Sequence, residues 1–441
     1  MTADRRRFPW ASAAAIVGVA LLARLVVVFA TSPVLSDDVY RYVHDGHLIA
    51  SQARSPYATP PAEHNPLDLP INNPELGSIY LPVSQAVFGA VAAVSPTERA
   101  FRVAFSAIDV VAVALLIAWL ASRGASPWWA ALYAWHPLAI AEVGNGGHQD
   151  AIGLPLLVAA LWLGDQALRS ASNPANRAAW SAIGCGVALA LACLVKPIVL
   201  PAALFIAAAG VCAGGLRFAA RSAGLAALGG LAVALPLLAW PIALDGGYGS
   251  FDATAQRFVT KWAANGSVHP LLESLTGTKA AADLLCAAGL VAVTAALAWA
   301  ARPGRVVAAT AAFFVAALLL SSTVHPWYLL WAMVLLPIAA ARPTAATPAP
   351  CGLATVVVAT TLAWSLVIPL AYTSIPRFAA GGPYQPYLAA VAAEYAVVYA
   401  ALLISAAVAW VAARAARQKI RTMNDPIGSS DSRLPSPSTL N

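Results

Sequence analysis

The chain has 441 residues, 60% of them hydrophobic and 10% charged, with a formal net charge of +7 and a mean hydropathy of +0.72. Such a balance excludes an ordinary soluble globular domain. The basic residues fall in short clusters between apolar runs, which is a membrane-topology signal and argues against nucleic acid as a partner.

A spanning helix needs about 20 predominantly apolar residues. That criterion predicts an all-α polytopic membrane protein with about 12 transmembrane helices, near 10–31, 100–121, 128–143, 151–165, 179–196, 198–214, 224–243, 283–300, 306–322, 327–341, 352–374 and 387–413. The first run follows Arg5-Arg6-Arg7 and has no convincing small-residue cleavage site, so it reads as a retained signal-anchor.

Ile79 to Ser95 is apolar enough to count as a further span. Charge decides against it. If this stretch stays on one side, Arg5–Arg7, Arg123, Arg169, Arg177, Arg217, Arg221, Arg302, Arg305, Arg342 and the cluster Arg414, Arg417, Lys419, Arg421 all face the cytoplasm. Tyr80 to Ser95 is therefore expected to be a juxtamembrane or re-entrant helix within a long first outer loop, 32–99. A further outer loop covers 244–282, both termini are cytoplasmic, and 422–441, rich in Ser, Pro and Asn, reads as a disordered cytoplasmic tail. Residues 1–421 form a single transmembrane domain in this reading, placed in the cytoplasmic (inner) membrane.

In chain order, the first chemistry-bearing stretch is Ser36-Asp37-Asp38-Val39-Tyr40-Arg41-Tyr42-Val43-His44-Asp45-Gly46, at the outer end of the first helix. A half-withdrawn carboxylate at Asp37 or Asp38 suits proton abstraction from a hydroxyl, and the simpler role for either is helix capping. If the stretch is helical, Arg41 and Asp45 share a face as an i,i+4 pair, more structural than catalytic. Tyr80 and Gln85 offer a ring and an amide for sugar recognition.

Glu142 and the turn Asn145-Gly146-Gly147-His148-Gln149-Asp150 place further polar groups between two spans on the same face. His148 and Asp150 suit hydroxyl or phosphate binding; the alternative is a solvated turn with helix caps. Lys196, in Val195-Lys196-Pro197, suits a lipid phosphate or simple snorkelling. His325-Pro326-Trp327-Tyr328 lies at another outer boundary, where His325 can hydrogen-bond or, as a cationic partner, donate charge to a leaving phosphate, and the rings can equally form an aromatic belt. Arg257, Lys261 and His269 are weaker candidates, and Arg24 faces either the bundle interior or the interface. The cysteines Cys185, Cys193, Cys212, Cys286 and Cys351 have no metal-type spacing, so neither a metal site nor a disulfide is expected.

Asp-Asp-Val-Tyr-Arg-Tyr at the first-helix exit, Tyr-Leu-Pro-Val-Ser-Gln, Trp-His-Pro-Leu with Gly-His-Gln-Asp, Val-Lys-Pro and a late His-Pro-Trp-Tyr together resemble the GT-C superfamily of polytopic glycosyltransferases. Within it the set is most similar to bacterial mannosyltransferases that use polyprenyl-phosphate-mannose. The resemblance runs from Arg24 to Tyr328. It implies an inverting, metal-independent transfer of a sugar, mannose by resemblance, from a polyprenyl-phosphate donor to a glycolipid or glycan acceptor at the outer face. The lipid-linked sugar is then a substrate and no cofactor is expected. An acid of the first outer loop would be the base, a position that both Asp37 and Asp38 match. The large soluble C-terminal domain of some members is not expected here.

A secondary transporter or lipid flippase is the competing class. It would favour mid-helix charges and broken helices in related halves, whereas these ionisable residues crowd at one face. A non-catalytic scaffold has no need of such a cluster.

Overall fold

The structure is a computed structural model that describes residues 10–171, 176–341, 352–382 and 384–424. Arg5, Arg6, Arg7, Arg342, Cys351 and the tail beyond residue 424 lie outside the described residues.

Eighteen α-helices are described, joined by short 3-10 turns. The first half holds α1 (Trp10–Ala30), α2 (Asp38–Gln52), α3 (Pro82–Val94), α4 (Glu98–Ser122), α5 (Ala131–Ala134), α6 (Pro137–Gly144), α7 (Asp150–Arg169), α8 (Asn176–Cys193) and α9 (Pro201–Ala239). The second half holds α10 (Phe251–Lys261), α11 (Val268–Thr276), α12 (Lys279–Ala300), α13 (Val306–Leu320), α14 (Leu330–Met333), α15 (Leu336–Ala340), α16 (Gly352–Val367), α17 (Ile375–Ala379) and α18 (Leu388–Asn424). Among the described residues the only β pairing is three isolated bridges.

By length and hydropathy, seven helical stretches among the described residues can cross a bilayer, as a polytopic membrane protein requires. They are 10–30, 98–122, 150–169, 197–243, 279–300, 352–379 and 388–418. The count differs from the 12 expected for identifiable reasons. The stretches 128–143 and 327–341 are broken rather than continuous, because Pro127, Pro137, Pro326 and Pro337 each sit at a helix start and cannot donate to the preceding turn. Residues 177–193 and 306–320 are apolar helices shorter than 18 residues. The 198–214 and 224–243 runs are joined in α9, which turns at Gly215 (φ 79°, ψ 178°), a conformation open to glycine.

The first long loop contains more order than expected. It carries α2 as well as α3, which at 13 residues rises about 20 Å, short of the roughly 30 Å hydrocarbon core. α2 lies directly on α3: a Cβ at Gly46 would come within 2.3 Å of the Phe88 carbonyl oxygen. The predicted Arg41–Asp45 pair does not form. The guanidinium of Arg41 instead donates to the carbonyls of Leu76, Asn72 and Asn73, while Asp45 accepts from Gln85 and contacts His44. Three carbonyls fixed by the folded loop outcompete one carboxylate on the same helix.

The loops also hold one another. Ser55 N–H donates to Asp245 and Asp245 N–H to Ala53, tying the first loop to the start of the 244–282 loop, which itself contains α10 and α11. Ala264 N–H donates to Ser322, and Val324 N–H returns to Ala264. Deeper in the bundle, Arg24 is fully buried, with Nη2 2.7 Å from Asp109 Oδ2 and Nη1 donating to the Ala20 and Ala134 carbonyls. Tyr133 donates to the other oxygen of Asp109. Arg24 thus faces the interior and bolts α1 to α4.

Candidate active site

The residues before α2 are positioned by Asn145, whose amide donates to the Thr31 hydroxyl (2.8 Å) and the Ser32 carbonyl (2.7 Å), and whose oxygen accepts from Leu35 N–H. That strap delivers Asp37 to the N-cap position of α2, yet its side chain caps nothing. The Asp37 carboxylate accepts from Asn72 at 2.6 Å, and Asn72 belongs to the loop segment held by Arg41. Burial, then the neighbouring Asp38, push the Asp37 carboxyl up to about 6.

Asp38 begins α2 and points into a denser cluster. Its Oδ2 lies 3.5 Å from the Tyr42 hydroxyl and 3.8 Å from His148 Nδ1. Burial raises this carboxyl, the nearby charge of Asp150 raises it further, and the charges of Arg41 and Lys196 oppose them. Tyr80 closes one edge, its ring set edge-on to Tyr42 at 4.9 Å.

The turn between α6 and α7 depends on glycine. Gly147 adopts φ +61°, and a Cβ at Gly146 would strike the His148 ring at 2.5 Å. His148 is fully buried, stacked on Trp327 at 3.7 Å, with Nε2 3.3 Å from Glu142 Oε2. Glu142 is also fully buried, and Tyr372 donates to both of its oxygens, at 2.9 and 2.7 Å. Asp150, at the first turn of α7, takes Lys196 Nζ at 2.7 Å and Trp331 Nε1 at 2.5 Å on the same oxygen. The ammonium of Lys196 also stands over the Tyr328 ring.

His325 stacks on Trp327 at 4.4 Å and meets Tyr384 at 5.8 Å. Burial, together with His148 and Lys196, lowers its pKa to about 3. At neutral pH it is an uncharged imidazole, which corrects its expected role as a cationic partner: a cation here would lie desolvated beside Lys196. Beyond Tyr384 lies a cavity of about 790 Å³, lined among others by Gln256, Arg257, Lys261, Trp262 and Gln385.

The structure therefore brings Asp37, Asp38, Tyr80, Glu142, His148, Asp150, Lys196, His325, Trp327 and Tyr328 to one region, and Arg257 and Lys261 to the cavity beside it. Other candidates stand apart. Gln85 is buried between α2 and α3, donating to Asp45 and Ser78. Arg41 spends its donors on the loop. Tyr40 is half-buried and faces the charges of Glu98 and Arg102. His269 is held by Asp283 at the α11–α12 junction. Four members of the cluster escaped the sequence reading: Asn72, Trp331, Tyr372 and Tyr384. An Asn-Asn-Pro turn and single aromatics in apolar runs carry no signal that separates them from loop and packing residues.

Comparison with known proteins gives one family match, over a little less than half of the chain. Residues 5–212 match the model of the MptA_B family, described as the N-terminal domain of Alpha-(1->6)-mannopyranosyltransferase. No curated protein matches the chain. Among solved structures, ArnT from Cupriavidus metallidurans bound to undecaprenyl phosphate is similar over 90% of this chain and 77% of its own, at 15% identity and a TM-score of 0.48.

Proposed function

Taking the chain as a mannosyltransferase-like polytopic membrane protein, we propose that it moves mannose from a polyprenyl-phosphate donor to an acceptor hydroxyl at the outer face of the cytoplasmic membrane, with inversion. The observation that supports this reading is the convergence of an acid, a cation and a set of aromatic rings in one cluster assembled from distant parts of the chain: Asp38, Lys196, and Tyr80 with Tyr328.

Asp38 is the base in this reading. It takes the proton of the acceptor hydroxyl as that oxygen bonds to the sugar's anomeric carbon, and the anomeric carbon–oxygen bond to phosphate breaks with its electron pair leaving on the lipid phosphate. Lys196 faces the developing phosphate charge with a proton left over from its bond to Asp150, since an ammonium has three donors. The aromatic edges suit a sugar face, and the cavity on the far side of Tyr384, with Arg257 and Lys261 on its wall, has room for the second substrate.

Asp37 is the runner-up as base, and the difference in surroundings supports the order: Asn72 occupies one Asp37 oxygen, whereas Asp38 shares the cluster with Lys196. Metal independence belongs to the same proposal. It draws on the donors that already engage Asp37, Glu142 and Asp150, namely Asn72, Tyr372, and Lys196 with Trp331.

The test is transfer of radiolabel from polyprenyl-phosphate-mannose to a membrane lipid extract by purified protein in nanodiscs, with and without chelator. The expected result is a labelled glycolipid or glycan of inverted anomeric configuration, formed equally with chelator and reduced about 10²–10⁴-fold by Asp38→Asn. No labelled product from any polyprenyl-phosphate sugar, or Asp38→Asn at the wild-type rate, overturns the corresponding part.

A further inference from the structure

His148 cannot be a substrate ligand in this arrangement. It is fully buried, and Trp327 covers its ring at 3.7 Å and 14°. Its position is nevertheless unusual. Nδ1 lies 3.8 Å from Asp38 Oδ2 and Nε2 lies 3.3 Å from Glu142 Oε2, yet neither nitrogen makes a well-formed hydrogen bond although both are buried. A buried polar atom left without a partner is costly, so two on one ring call for a reason. Catalytic hydrogen bonds are often long before substrate binds and tighten in the reacting complex.

Glu142 supplies the orientation. Tyr372 pins both of its oxygens, and the oxygen that faces His148 favours the tautomer with its proton on Nε2. The lone pair on Nδ1 is then turned toward Asp38. The other charged or titratable groups that face this line are Asp37 and Arg41 beside α2, Asp150 at the start of α7, Lys196 at the 196–197 turn, the phenols of Tyr42, Tyr80, Tyr328, Tyr372 and Tyr384, and His325, which is neutral.

Resting on the reading that Asp38 is the base, we propose that His148, oriented by Glu142, takes the proton from Asp38 and holds it during turnover. The acceptor hydroxyl proton passes first to Asp38 Oδ2 and then to His148 Nδ1. The ring becomes an imidazolium whose Nε2–H faces Glu142, Asp38 returns to the carboxylate, and no other reactant is consumed. When products leave, the proton returns through Asp38 to water. The advantage is electrostatic. Asp38 regains its charge near Lys196 while the substrates are still bound, and the proton waits where a carboxylate already compensates it. His148 and Glu142 are positioning residues in this scheme, acting through Asp38.

The experiment compares His148→Gln, His148→Phe, Glu142→Gln, Asp37→Asn, Asp38→Asn and the double variant Asp38→Asn/His148→Gln in the same nanodisc assay, with thermal unfolding as a check on folding. His148→Phe keeps an aromatic ring against Trp327 and removes both nitrogens, while His148→Gln keeps polarity without the larger ring. The proposal expects His148→Gln and His148→Phe to lose kcat about 10²-fold with KM for donor and acceptor unchanged, and Glu142→Gln to lose less. The double variant should be no slower than Asp38→Asn alone, because residues acting as a unit are not additive. Wild-type kcat in His148→Phe or His148→Gln overturns it, as does a raised KM with kcat intact, or a double loss equal to the product of the single losses. Asp38→Asn at the wild-type rate with Asp37→Asn inactive overturns the relay while leaving glycosyl transfer standing. Absence of transfer by the wild-type protein removes both.

Discussion

The ammonium of Lys196 stands 3.6 Å above the centre of the Tyr328 ring while its Nζ holds Asp150 Oδ1 at 2.7 Å. Lys196 is thus fixed from two sides and remains partly exposed, at 23% of its side chain. Lys196→Gln should lower kcat/KM for the phosphate-linked donor by roughly 10–100-fold, the value of one charge-assisted hydrogen bond. Lys196→Arg should not restore it, because a planar guanidinium cannot reproduce both contacts. The single substitution also leaves Asp150 buried without its cation, so Lys196→Gln/Asp150→Asn should recover thermal stability without recovering activity. Steady-state kinetics and melting curves on the same preparations check both halves.

Asp37 makes stability depend on pH in a direction opposite to an ordinary paired carboxylate. Its folded pKa of about 6 lies above the roughly 3.9 of an unfolded chain, so folding favours the protonated form. The stabilisation is complete below about pH 4 and is lost as pH rises through 6. At pH 7.5 the buried charge is a standing cost on the order of 1–3 kcal/mol. Asp37→Asn should therefore raise the unfolding temperature at pH 7.5 and change it little at pH 4, measured in detergent at both values. A gain that is the same at both would exclude the carboxyl as its source.

The Arg24–Asp109 bond offers a separate test of how α1 is held. Removing one partner strands the other in the interior, so Arg24→Met should cost about 3 kcal/mol or more. Arg24→Met/Asp109→Asn should return most of it, because the amide still accepts from Tyr133. Equal destabilisation in the single and double variants, read by thermal unfolding, would count against the ion pair as the cause.

Arg41 is the strap of the first loop, through the carbonyls of Asn72, Asn73 and Leu76. Arg41→Gln reaches fewer of them, and the loop should open. The measurable consequences are faster cleavage between residues 60 and 76 by an added protease, and reduced transfer, because the Arg41 charge that favours ionised Asp38 is lost. Unchanged cleavage kinetics would show that the loop is held by other contacts.

Much of the cluster was legible in the sequence because acids, a lysine and histidines between apolar runs stand out against a background that is 60% hydrophobic. Asp38, His148, Lys196 and His325 all carried that signal. What the pattern could not supply was partners. Helical spacing put Arg41 and Asp45 on one face, but only the folded loop presents the carbonyls that Arg41 takes. Burial was equally invisible, so His325 read as a cation when its surroundings keep it neutral. Tyr372 and Tyr384 had no signal, since an aromatic in an apolar run looks the same whether it packs or holds a carboxylate. Span edges failed where proline interrupts apolarity without reducing it, as at Pro137 and Pro326.

The order in which the cluster is assembled along the chain has a consequence for biosynthesis. Its acids and its lysine are all translated by residue 196, whereas Trp327, Trp331, Tyr372 and Tyr384 come more than a hundred residues later. A nascent chain holding only the earlier part has Asp150 without Trp331 and Glu142 without Tyr372, its buried acids lacking their later donors. Those charges must stay hydrated, or borrow partners from the insertion machinery, until α14 and the 368–374 turn arrive. Ribosome stalling or truncation between residues 200 and 320 would therefore leave an inserted but unfinished protein, a natural substrate for membrane quality control.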